Sequence, residues 1–471
     1  MRAGRLDKSR RLRYNTLGRY KCHEFDLADR VLRTSEEFCF EREVEALKAW
    51  MRQFPDKRTG KNLVYSIEDA ALGAFSVFYM QSPSFLAFQT MMQRAQGKSN
   101  AQALFGMHQI PTDNHIRSLL DPVAPSYVLP MFERLFNQLD AAGQIDAFRI
   151  PNGQLLIALD GTQYHRSESI HCKHCTVSRH HNGENSYAHT ALTPVVVTLG
   201  HNRVVALEPE FVVPQDGHDK QDCESVAAKR WLAAYGARYR GRQVTLLGDD
   251  LYSRQALCEQ ILALGLNFIF VCKPSSHETL YEWLPDLARS GGLHTHQVLR
   301  RQGKKSYTDT YRYAAQVPLR DGDDALAVNW CELITTNAAG ERVYHNAFVT
   351  AHAIDQSTVA QIVAAGRARW KIENGCNNTL KTKGYHLTHN FGHGKNQLSA
   401  LLASLNLLAF LLHTVQELVD RKYQALRAHL PSRATFFNHL SALTHYLCFD
   451  SLEAMLDFML HKLEIEFSDS G

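Results

Sequence analysis

The chain reads as an α/β protein: a mixed sheet with flanking helices, a β-rich insertion, and helical N-terminal and C-terminal parts. Three observations predict this. Continuous apolar runs, LLIALDG at 155–161, QVTLLGDD at 243–250 and LNFIFVCK at 266–273, have the character of strands buried on both faces. Helical patterns lie between the runs, as a sheet covered by helices requires. A basic, turn-rich segment then breaks the alternation before a helical pattern returns at Ser357.

Residues 1–150 read as several short helices rather than a bundle. EREVEALKAWMRQF sets Val44, Leu47, Trp50 and Met51 at helical spacing, and YVLPMFERLFNQLDAAG does the same with Leu135 and Leu139. Pro55, Pro83, Pro111, Pro122 and Pro125 punctuate them, and PNG at 151–153 marks a boundary. After the first strand, ALTPVVVTLG and RVVALEPEFVV flank the turn GHN and predict a hairpin. HDKQDCESVAAKRWLAAYGARYR at 218–240 predicts a helix, and SRQALCEQILALG a second one closed by Gly265. Within 275–355, NWCELITT and VYHNAFVTA predict two strands around NAAGE. Residues 151–274 and 356–395 therefore form a core split by the insertion 275–355, and 396–471 form a helical C-terminal part with a break at Pro431.

Composition bounds the function. Of 471 residues, 45% are apolar and 21% charged, which excludes a largely disordered chain and a disulfide scaffold. Ten scattered cysteines indicate reduced, intracellular usage. The basic N-terminus is not followed by an apolar run, so no secretory signal is expected. Leu398–Val415 is apolar but carries Ser399, Ser404, Asn406 and His413, which suits a core helix better than a membrane span. The net charge of +4 is small, yet residues 1–22 and 366–395 are locally basic and suggest an anionic partner.

Three acids stand out. Asp160 ends the first buried run, Asp249 (beside Asp250) ends the run at 243–250, and Glu373 sits in the otherwise basic and polar RARWKIENGCNNTLKTK. Sites in open sheets form beyond the carboxyl ends of strands. Converging carboxylates need a cation, and oxygen-only ligands select Mg²⁺ or Mn²⁺. Two such ions can activate water and stabilise the leaving oxygen in phosphodiester cleavage. The structural alternative is that the aspartates cap helices and Glu373 faces solvent.

LDGTQY at Asp160, GDDLYS at Asp249 and RWKIEN at Glu373 resemble the three blocks of the DDE transposases of bacterial insertion sequences, in the group with a β-rich insertion before the glutamate. The resemblance covers roughly residues 154–395. It implies a ribonuclease-H-like core, with Asp160, Asp249 and Glu373 catalytic and binding Mg²⁺. The implied reaction is cleavage at element ends and transfer of the 3′-hydroxyl into target DNA. Double-stranded DNA is the implied partner, bound by a homodimer whose helical residues 1–150 recognise the ends. The implied location is cytoplasmic, at the nucleoid. A nuclease that stops at hydrolysis and a silent DNA-binding derivative are the alternatives. The family spacing Asp, two residues, Tyr favours Asp249 over Asp250. The third block departs from the family signature: its Tyr position holds Gly366, and its Lys position holds Leu380 with Lys381 next. In an α-helix, Arg369 and Asn377 share the face of Glu373, whereas Lys381 lies about 80° away. Arg369, Lys381 and Lys383 are the expected phosphate contacts here.

Two further patterns carry chemistry. In the insertion, Arg300, Arg301, Lys304 and Lys305 interleave with tyrosines, which suits DNA contact or a solvated hairpin equally. IHCKHCTVSRHHNGENSYAHT sets Cys172, Cys175 and His189 in the connection between two strands, a pattern that suits a structural Zn²⁺. Cys223 is the nearest candidate in sequence for the fourth ligand, and reduced loop cysteines with incidental histidines are the alternative. GYHLTHNFGHGK holds three more histidines, but its three glycines argue against a metal-binding helical face. It reads as a polar loop contacting DNA or the core.

Overall fold

A computed structural model describes residues 38–60, 63–214 and 222–466; the basic stretch 1–22 lies outside the described residues. The N-terminal part is helical: α1 (Phe40–Met51), α2 (Ile67–Tyr79), α3 (Phe85–Met92), α4 (Ala95–Phe105), α5 (Asp113–Leu120) and α6 (Leu129–Ala141). Sequence explains where they begin. Ser66, Ser84 and Thr112 accept the backbone N–H of Asp69, Ala87 and His115, capping α2, α3 and α5. Val44, Leu47 and Met51 of α1 are buried together, as their spacing predicts.

The core follows as β1 (Leu155–Ala158), β2 (Gly161–Ser167), β3 (Thr176–Arg179), β4 (Asn185–Leu192), β5 (Val195–Val197), β6 (Val205–Ala206), β7 (Glu210–Val212), α7 (Glu224–Tyr235), β8 (Val244–Gly248), α8 (Gln255–Ala263) and β9 (Asn267–Val271). The insertion adds α9 (Glu278–Ser290), β10 (His294–Gln302), β11 (Lys305–Pro318), β12 (Ala327–Asn337) and β13 (Arg342–Thr350). One nine-stranded sheet runs β10-β11-β12-β13-β9-β8-β1-β5-β6. Its centre, β9-β8-β1, is parallel, and its other pairings are antiparallel. The protein is thus mixed α/β, with a mixed sheet and flanking helices.

Two expectations need correction. The insertion is not a separate unit beside the sheet: β13 pairs with β9, so the four added strands extend the same sheet. The connection after β1 is not a loop either. Residues 161–192 form β2, β3 and β4, which with β7 make a second, four-stranded sheet. Its strands β2 and β3 are short and polar, and most of their residues reach solvent, so hydrophobic periodicity gives little signal there.

After the insertion come α10 (Val359–Arg367), a π-helical turn over Ile372–Asn377, and α11 (Asn378–Thr382). The C-terminal part is α12 (Leu398–Val419), α13 (Arg421–His429), α14 (Arg433–Tyr446) and α15 (Leu452–Lys462), with Pro431 in the break. Helix α12 is long and apolar enough to cross a membrane, but 89% of its most apolar window is buried inside the protein. It packs against α2, α6 and α13.

The loop before α12 is fixed from a distance. Asp121, just after α5, accepts the backbone N–H of Asn396 (3.0 Å), Lys395 (3.1 Å) and Leu398 (3.3 Å), and the Asn396 side-chain amide (2.9 Å). Gly394 adopts φ +68° there, where a Cβ would collide with the Asp121 carboxylate. Burial opposes the ionised Asp121, but these donors outweigh it and hold the carboxyl below its ordinary range. A depressed carboxyl stabilises above its unfolded pKa and loses that contribution as pH falls through the folded one. Asp121→Ala is therefore expected to cost about 1–2 kcal/mol at pH 7, read as a lower urea midpoint, with the difference shrinking below about pH 4. Equal midpoints at pH 7 would refute the capping role.

Candidate functional site

The parallel pairing of β1 and β8 sets Ala158 opposite Leu247. Asp160 and Asp249 each lie two residues beyond that row, so they leave the sheet side by side at its carboxyl end. Asp160 is half-buried. The Asn377 amide donates to its Oδ2 (3.0 Å), Thr193 holds the Asn377 carbonyl (3.0 Å), and the Thr193 N–H binds the Asp160 backbone carbonyl (3.0 Å). Burial pushes the Asp160 carboxyl up to about 6; the Arg369 charge opposes this, while Glu224, Glu373 and Asp249 reinforce it.

Asp250 points elsewhere. It accepts the Lys273 N–H (2.7 Å) and the Ser276 hydroxyl, and lies 3.7 Å from His277. Its carboxylate thereby fixes the turn after β9, leaving Asp249 as the acid beside Asp160.

Glu224 is the residue that sequence reasoning missed. It begins α7, and its carboxylate lies so close to Gly161 that any Cβ there would overlap it. It accepts the Tyr252 hydroxyl at 3.4 Å, and burial together with Asp249 raises its carboxyl above the ordinary range. The available signal was Gly161 itself: a glycine directly after a strand-terminal acid marks a close approach.

Glu373 stands in the π-helical turn, with Arg369 paired to it at 2.9 Å. Such turns insert one residue into an α-helix and recur at functional sites. The insertion explains the departure at the end of the third block. With one extra residue absorbed, Lys381 takes about the angular position that α geometry gives to 380, and Leu380 turns fully into the core. Gly366 is explained as well, because a Cβ there would meet the Phe348 ring at 2.8 Å and Ile269 at 2.9 Å. Phe348 fills the space beside α10 that a larger residue at 366 would need.

The remaining cations divide. Lys383 is exposed, and with Arg203, Trp370, Lys371 and Arg433 it lines a cavity of about 590 Å³ beside this helix. Lys371 is committed to structure: its ammonium donates to the backbone carbonyls of Thr198 (2.5 Å), His201 (2.6 Å) and Leu199 (3.1 Å). In the insertion, Arg300 pairs with Asp309 at 2.6 Å and stacks on Tyr307, so its charge is spent internally. Arg301, Lys304 and Lys305 project from the β10–β11 hairpin into solvent.

Cys172, Cys175, His189 and His393 form the one group of three or more acid, cysteine or histidine side chains among the described residues whose ligand atoms all lie within 4.8 Å of one another. It can hold a metal ion. The acids at 160, 224, 249 and 373 do not close to that spacing, so theirs is an open, oxygen-lined site. Cys223 is not the fourth member of the cluster. It is exposed at the start of α7, where its thiol meets Ser225 at 3.2 Å. The place is taken by His393, from the loop that the sequence assigned to contacts with DNA or the core.

Comparison of the chain with known protein families finds no match, and comparison with curated proteins finds none either.

The acid cluster yields a stability prediction. The folded-state value of about 6 for Asp160 exceeds the unfolded value of about 3.9. The group's contribution is therefore full below about pH 4 and lost as pH rises through 6. Without divalent ions, Asp160→Asn is expected to raise the melting temperature at pH 7.5 by about 1–3 °C, with no gain at pH 4.5. A lower melting temperature at pH 7.5 would contradict the crowding described here.

Proposed function

We propose that the chain is a metal-dependent DNA transposase of the DDE type, acting through Asp160, Asp249 and Glu373 in a ribonuclease-H-like core. The observation that carries this reading is the emergence of Asp160 and Asp249 from adjacent parallel strands, facing a helix that carries Glu373 and Arg369. The donors suit the ions: Asp160, Asp249 and Glu373 offer only oxygen, which selects Mg²⁺ or Mn²⁺, with Glu224 at the margin. When bound, such ions activate a water and stabilise the leaving oxygen.

The chain's own residues supply the rest. Asn377 fixes the Asp160 carboxylate by donating to one oxygen, leaving the other free to face the site. Arg369, now paired with Glu373, is placed to exchange that partner for a phosphate, whose oxygens match its planar fork. Lys381 and Lys383 extend the same positive edge. Water attack at phosphorus breaks the P–O3′ bond at the element end, giving a 3′-hydroxyl and a 5′-phosphate. That hydroxyl then attacks a target phosphate and displaces a target 3′-oxygen. The Cys/His cluster takes no part in these steps, because its donors are soft and its four positions are filled.

A nicking assay on supercoiled DNA carrying the flanking inverted repeats tests the proposal. Asp160→Ala, Asp249→Ala and Glu373→Ala are each expected to abolish Mg²⁺-dependent nicking, with end binding nearly intact. Asp250→Ala is expected to retain activity at reduced stability. Full nicking by Glu373→Ala would refute the assignment, and nicking without joining of pre-cleaved ends would reduce the enzyme to a nuclease.

The insertion has its own test. Ala at Arg301, Lys304 and Lys305 together is expected to flatten the log–log salt dependence of DNA binding by about 0.9 for each phosphate no longer neutralised. Arg300→Ala is expected to leave the slope unchanged, because Asp309 already neutralises it. An unaltered slope for the triple variant would show a solvated hairpin.

A further inference from the structure

We propose that Cys172, Cys175, His189 and His393 hold one structural Zn²⁺ that clasps the second sheet to the loop between α11 and α12. The site stands on its own geometry and is independent of the phosphodiester reading.

The four donor atoms already stand at tetrahedral spacing. With Zn–S about 2.3 Å and Zn–N about 2.0–2.1 Å, tetrahedral edges come to about 3.8 Å between sulfurs, 3.5–3.6 Å between sulfur and nitrogen, and 3.3 Å between nitrogens. The two sulfurs are 4.0 Å apart. His189 Nε2 is 3.5 Å from Cys172 Sγ and 3.4 Å from Cys175 Sγ, and Cys175 Sγ is 3.4 Å from His393 Nε2. The two imidazole nitrogens are 3.1 Å apart. Two uncharged imidazoles have no attraction that explains a nitrogen–nitrogen approach this close beside two sulfurs, whereas a shared cation does.

The surroundings prepare the donors. The backbone N–H of His174 points at Cys172 Sγ, and that of Cys172 at Cys175 Sγ, each at 3.4 Å, an arrangement that stabilises thiolates. His393 Nδ1 donates to the Gly394 carbonyl at 3.0 Å, which fixes the tautomer and leaves the Nε2 lone pair facing the cluster. Cys175, His189 and His393 are buried. Soft sulfur and imidazole donors select Zn²⁺ over Mg²⁺, and four filled positions leave no place for a substrate.

Placement gives the ion its role. Cys172 and Cys175 precede β3, and His189 lies in β4. His393 stands 16 residues beyond Asn377, in a loop that Asp121 and Arg117 bind from the N-terminal helices. The ion therefore ties together the small sheet, the segment after the Glu373 helix and the N-terminal part. None of these contacts is local in sequence, and the small sheet has little apolar surface of its own.

Full-length chain purified without a histidine tag, analysed for metal by mass spectrometry, tests the proposal. About one Zn²⁺ per chain is expected, falling several-fold in Cys172→Ser and in His393→Ala and unchanged in Cys223→Ser. Chelation is expected to speed tryptic cleavage at Lys395 several-fold. Should the ligand variants fail to fold, Co²⁺ exchanged into the native chain reads the same geometry, through tetrahedral visible bands with thiolate charge transfer. Four results would each overturn the proposal: native chain without zinc, zinc kept in His393→Ala, octahedral Co²⁺, or unchanged cleavage at Lys395 after zinc removal.

Discussion

Parallel pairing between β1 and β8 is the constraint on which the rest of the structure depends. It places two aspartates at the same height on neighbouring strands, and the elements around them manage the resulting repulsion. Asn377 and Thr193 hold one carboxylate, Arg369 counters the charge from the helix opposite, and Gly161 leaves room for a further acid, Glu224. A fold selected only for stability would not gather four acids around one partly buried point, because desolvation and like charge both oppose their ionisation. The crowding is intelligible as preparation for cations that the acids would share.

The helix carrying Glu373 shows the same economy at the level of the backbone. Its π-helical turn lengthens the segment by one residue without displacing what lies before or after it. Leu380 then packs inward and Lys381 keeps the outer position. Lys371, immediately before the π-turn, is anchored on three carbonyls of the β5–β6 connection. Three ties thus locate this segment: Asn377 on the Asp160 side, Lys371 on the edge of the sheet, and the Cys/His cluster beyond α11.

Much of this was legible in the sequence. The apolar runs at β1, β8 and β9 announced the parallel centre, because strands buried on both faces need no alternation. The acids after β1 and β8 followed from the same runs. What stayed hidden was long-range. Glu224 and His393 meet their partners across 63 and 218 residues, and neither sits in a pattern that periodicity detects. Cys223 looked like a ligand only because sequence distance stood in for spatial distance. The π-turn was invisible for a different reason: angular bookkeeping at 100° per residue assumes the regular helix that this segment does not have.

The central claim is that two sites of opposite chemistry flank one helix, an open oxygen site for hard ions and a closed sulfur–nitrogen site for a soft one. Anomalous diffraction from crystals of the full-length chain soaked in Mn²⁺, recorded at the manganese and zinc edges, tests it most directly. The account predicts manganese between Asp160 and Asp249, and zinc among Cys172, Cys175, His189 and His393. Manganese absent from the aspartates, or present only at the Cys/His cluster, would contradict it.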